Sequence, residues 1–75
     1  MRIKEELITI LGKNQKYPCV FNENLEVDAI YIHEGNVYCL DKGINLELSD
    51  VSLEGQIDIF NAIKDKKYVI DKTFQ

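Results

Sequence analysis

The chain has 75 residues, which is room for one domain and too little for a large core. Its composition, 45% hydrophobic and 29% charged with four glycines and one proline, is that of a folded chain and excludes a disordered one. A formal net charge of −4 makes nucleic acid an unlikely main partner, because a phosphate backbone needs a net-positive face.

Residues 2–11 place Ile3, Leu7, Ile10 and Leu11 on one stripe, with Ile8 beside it. That spacing predicts an amphipathic helix. Gly12 follows the last apolar residue and suits the left-handed position that closes a helix.

From Tyr17 to Leu48 the pattern becomes one of short strands: 17–21, 25–33, 37–40 and 44–48. Three short connections separate them, Asn22-Glu23-Asn24, Glu34-Gly35-Asn36 and Asp41-Lys42-Gly43. Connections this short predict antiparallel neighbours in a meander. Pro18 has no N–H for a ladder, which predicts an edge position for the first strand.

A two-residue middle turn puts Ile30, Ile32, Val37 and Cys39 on one face, and a similar turn at Lys42-Gly43 adds Ile44, Leu46 and Leu48. Tyr31, His33, Tyr38, Leu40, Asn45 and Glu47 fall on the other. A three-residue first turn would add Tyr17, Cys19, Phe21, Leu25, Val27 and Ala29 to the tyrosine face. Either a bulge near Asp28-Ala29 switches the strand's face, or both faces are covered.

Ser52 is the expected N-cap of a second helix, with Ser49 an alternative start. Leu53, Ile57, Phe60 and Ile63 form its expected buried stripe, and Glu54, Asp58, Asn61 and Asp65 its solvent side. Tyr68-Val69-Ile70 is apolar enough to be a last strand or a docked extension. The predicted fold class is therefore α+β: one domain over 1–75, an antiparallel β-meander of three to four strands flanked by an N-terminal and a C-terminal α-helix.

No chemistry-bearing motif is present. The glycines at 12, 35, 43 and 55 form no phosphate loop, and no Cys-x-x-Cys or His-x-x-x-His pair frames a metal. Cys19, His33 and Cys39 are the candidates for nucleophile or soft ligand. The predicted register sets Cys19 and His33 on one face and Cys39 on the other, so both thiols read as small packing residues. No catalytic, cofactor or metal residue is assigned, and the chain is not expected to be an enzyme. The charged start, Arg2-Ile3-Lys4-Glu5-Glu6, is unlike a signal peptide, no apolar run is long enough to span a membrane, and the expected location is cytoplasmic.

Two surfaces remain. Tyr31, Tyr38 and Leu40 make an aromatic patch on the second sheet face. The simpler arrangement lays the first helix over them; the other leaves them as a contact surface. Glu54, Asp58 and Asp65 make an acidic stripe. The leading expectation is a non-catalytic protein–protein interaction or assembly module whose partner is a protein or a second copy, a homodimer. The alternative is an acidic inhibitor or regulator that binds a basic, nucleic-acid-binding protein through the stripe.

Overall fold

A computed structural model describes residues 2–73. It contains helix α1 (Ile3–Leu11), strands β1 (Gln15–Phe21), β2 (Ala29–His33), β3 (Asn36–Asp41) and β4 (Ile44–Glu47), a 3₁₀ turn at Leu48–Asp50, helix α2 (Leu53–Lys64) and strand β5 (Tyr68–Ile70). All neighbouring strands are antiparallel, in the order β4-β3-β2-β1-β5. The class is α+β as expected, and the sheet has five strands rather than three or four.

The two tight hairpins form for backbone reasons. Glu34 and Gly35 have φ of 51° and 76°, and Lys42 and Gly43 have 50° and 83°. Two successive positive φ values give the two-residue turn whose twist matches antiparallel strands. Side chains hold both turns. Asn14 Oδ1 accepts from the Glu34 N–H at 2.8 Å, and Asp28 Oδ2 accepts from the Lys42 N–H at 2.8 Å.

The first hairpin departs from expectation. Its connection is a loop of seven residues, Asn22 to Asp28, closed by the Phe21 N–H donating to the Asp28 carbonyl at 3.1 Å. Residues 25–28 are not strand. Closing on Asp28 instead of Leu25 moves the register by an odd number, which reverses the faces. Cys19 pairs with Ile30 and so joins the side of Ile32, Val37 and Cys39, as does Phe21. The irregularity in the ladder lies in β1, between Gln15 and Cys19, and not near Ala29.

Pro18 is not on an edge, because β5 pairs with β1 on its far side. The pairing stops at the proline. Asp71 N–H donates to the Pro18 carbonyl at 3.0 Å, and Pro18 has no N–H to return, so β5 ends at Ile70.

Both helices lie on one face of the sheet. A single core joins Ile3 and Leu7 of α1 and Ile59, Ala62 and Ile63 of α2 to Cys19, Phe21, Ile30, Ile32, Val37 and Cys39. Val27 from the loop is buried in it, and Leu25 packs against it. The buried stripe of α2 is rotated from the expected one. Gly55, Ile59, Ala62 and Ile63 face inward, while Leu53 is 69% and Ile57 39% exposed. Gly55 is buried on the inward side, close to Glu26 and Val51. In α1, Ile10 is exposed at the helix end, whereas Ile3 and Leu7 are buried.

Ser52 caps α2, its Oγ accepting from the Gly55 N–H at 3.0 Å. Ser49, the alternative start, lies in the 3₁₀ turn. The Ser52 hydroxyl also donates to Glu26 Oε2 at 2.7 Å, tying the 22–28 loop to the helix. A Cβ on Gly55 would overlap the Glu26 carboxylate and come within 2.8 Å of Val51 Cγ1. Alanine there would gain about 1 kcal/mol of helix propensity. Crowding a packed site costs about 1–3 kcal/mol. Gly55→Ala is therefore expected to lower stability in urea titration, and adding Glu26→Ala to recover part of the loss.

Candidate functional site

Because both helices share one face, the other face of the sheet carries no helix or strand among the described residues. Its residues follow from the register. One row runs Val69–Val20–Ala29–Leu40–Asn45 across all five strands. The next contains Tyr31, Tyr38 and Glu47 on β2, β3 and β4. The first helix does not cover the tyrosines, contrary to the simpler of the two expected arrangements.

Tyr31 and Tyr38 stack with centroids 5.2 Å apart and planes 22° from parallel. The Tyr31 hydroxyl reaches Asn45 Oδ1 on β4 at 3.2 Å, two strands away. Its ring must therefore lean along the sheet rather than stand off it. Tyr31, Tyr38 and Leu40 are half-buried and lie outside the core cluster. The result is a low, aromatic and aliphatic surface with a polar margin. At one end an open hollow of about 710 Å³ is lined by Lys16, Pro18, Tyr31, His33 and Glu34, among others.

The register thus brings together the three residues read as an interface and adds Pro18, Val20, Ala29 and Val69. Their alternation is visible in the sequence, but assigning them to this face required the loop length that sets their parity.

The thiols and the histidine are separated differently from the expected register. Cys19 and Cys39 flank Ile30 on the helix-covered face, both fully buried, and His33 is exposed beside the β2–β3 turn. Burial pushes the Cys19 thiol up from 9.0 to about 11. Burial, with the Glu26 carboxylate adding to it, pushes Cys39 up to about 12. A thiol so hard to ionise is a poor nucleophile and a poor ligand at neutral pH. Two strand spacings, about 10 Å, separate the cysteines, beyond the ~7 Å a disulfide spans. Among the described residues no group of three His, Cys, Asp or Glu could hold a metal ion.

Glu54, Asp58 and Asp65 are exposed on the solvent side of α2. Asp58 and Asp65 border a groove shared with Glu23 and Lys67. Lys67 Nζ pairs with Glu23 Oε1 at 2.9 Å, and Glu23 and Asp65 raise the Lys67 pKa. A cation thus sits within this acidic surface. No helix among the described residues is long and apolar enough to cross a membrane.

The fold and surface define a class: a small α+β domain whose five-stranded antiparallel sheet, among the described residues, carries helices on one side only. No family model, curated protein or solved structure matches the chain.

Proposed function

We propose that this domain is a non-catalytic module that docks a protein through the open face of its sheet. The observation that carries the reading is the placement of both helices on the opposite face, which leaves Tyr31, Tyr38 and Leu40 outside the core. Tyrosine suits a docking surface, since each ring offers apolar area at low entropic cost and a polar tip for the rim. The margin supports the same reading, with Asn45 and Glu47 on one side and Lys16, His33 and Glu34 on the other. The buried, hard-to-ionise thiols and the remote His33 favour a binding role over a catalytic one.

The test is photo-crosslinking from position 40, with position 58 on the solvent side of α2 as control, and the adduct identified by mass spectrometry. The expected result is one defined protein species, this chain or another, joined at position 40 and lost in Tyr31→Ser/Tyr38→Ser. Equal adducts from both positions, or none from position 40, would overturn the reading.

A further inference from the structure

Resting on that reading, we infer that the occupant of the open sheet face is a second copy of this chain, packed sheet to sheet about a twofold axis that runs parallel to the strands between β2 and β3. Such an axis exchanges β2 with β3 and β1 with β4 and keeps each residue at its own height along the strands. Three correspondences follow, and each is complementary.

The first is aromatic. Tyr31 and Tyr38 are directly paired across β2 and β3, so the axis brings each Tyr31 against the other copy's Tyr38. The two stacked pairs then form one four-ring layer at the centre. Centrally buried tyrosines are the residues that dominate interface energy.

The second is steric. Ala29 and Leu40 are paired in the next row, so the axis sets each Leu40 over the other copy's Ala29. Ala29 is 4% exposed and small, a floor between larger neighbours, while Leu40 projects half-buried. Large over small is the arrangement that lets two layers interdigitate.

The third is electrostatic. Glu47 stands on the β4 side of the tyrosine row. Lys16 stands on the β1 side, lining the hollow with Pro18, Tyr31 and His33. Exchange of β1 with β4 directs each Glu47 toward the other copy's hollow and its Lys16. The pair forms twice, at the two margins, and the centre between them carries no charge. His33 Nε2 lies 3.8 Å from Glu34 Oε1 at the same hollow.

Size points the same way. The molecule measures 32 × 24 × 22 Å. A stable interface takes about 800 Å² from each partner. Under this axis β4, β3, β2 and β1 of each copy lie over β1, β2, β3 and β4 of the other and β5 falls outside the overlap, so the contact uses four of the five strands and most of the width of the face. The closed twofold contact also avoids open-ended stacking.

The experiment is mass by light scattering over a dilution series, with circular dichroism to confirm the fold of each variant. The wild type is expected to be a dimer that dissociates on dilution. Tyr31→Ser/Tyr38→Ser is expected to weaken it at least ~100-fold, as for loss of central anchors. Lys16→Glu and Glu47→Lys are each expected to weaken it about 5-fold, as rim charges do, and Lys16→Glu/Glu47→Lys to return it to near wild type. These two positions are on the surface, so both single variants and the double variant keep the fold. A wild type that stays monomeric, or a dimer indifferent to the tyrosine and charge variants, would overturn the second copy as occupant. So would charge variants that the double exchange does not rescue, since the twofold requires that pairing. In the monomeric case a different identified protein crosslinked at position 40 would leave the docking role standing; no adduct there would remove both.

Discussion

Ile30→Ala is expected to leave the domain largely unfolded at 25 °C. Ile30 is fully buried at the centre of β2, with Cys19 paired on one side and Cys39 on the other. Both strands that flank it lose packing when its side chain is cut back. Truncations of this kind cost about 2–5 kcal/mol, the higher values where the site cannot collapse. A single core of this size supplies only about 3–5 kcal/mol in total. Tyr31 is the next residue along the same strand, on the open face and outside the core. Tyr31→Ala should cost far less in dilute solution, where no second sheet covers it. Urea titration at low concentration measures both. A loss below about 1 kcal/mol for Ile30→Ala would contradict the one-sided core.

Alkali should melt the domain. The folded-state thiols ionise near 11 for Cys19 and 12 for Cys39, while the same thiols in an unfolded chain ionise near 9.0. Above pH 9 the unfolded chain therefore holds fewer protons than the folded one, and stability falls as pH rises. The contribution is fully present below pH 9 and is lost through the interval from 9 to about 12. A rise from 9.0 to about 11 at Cys19 alone corresponds to about 3 kcal/mol. That is comparable to the whole stability expected of a core this size. Cys19→Ala/Cys39→Ala should be less stable at pH 7, through lost packing, and should lack the steep decline between pH 9 and 11. Unfolding by urea at a series of pH values reads both effects. A wild-type curve flat from pH 8 to 11 would show that the thiols ionise freely in the folded state.

Much of this fold was legible in the residues. The i, i+4, i+7 spacing from Ile3 marked α1, Ser52 marked the start of α2, and Glu34-Gly35 and Lys42-Gly43 marked two hairpins. These are local signals, set by backbone conformation within a few residues. The same local rules carried Ile30, Ile32, Val37, Cys39 and Leu46 to one face and Tyr31, Tyr38 and Leu40 to the other, because each tight turn propagates register without ambiguity.

Where the connection was longer, local rules failed. Asn22-Glu23-Asn24 has the composition of a turn, yet the chain passes through it and closes on Asp28. What decides is that Val27 is almost wholly buried in the core and Leu25 packs against it, a gain that depends on residues distant in sequence. That choice turned Cys19 and Phe21 toward the helices. Pro18 misled for a similar reason: a missing N–H blocks one ladder bond, and β5 accommodates it by ending at that point.

The sequence by itself determined the class of fold, the two helices, the β2–β3 and β3–β4 hairpins and the faces of the residues within those hairpins, since these depend on periodicity and turn geometry over short spans. Only the tertiary structure decided which face receives the helices. A helix stripe is complementary to any apolar surface of the right width, so Leu7 or Ile59 could in principle have covered either face. The choice is made by chain connections and close approach: the short Gly12–Asn14 link from α1 into β1, the 3₁₀ turn after β4, and the Gly55 contact with the 22–28 loop. Together these bring both helices to the Ile30 side and leave the tyrosines open.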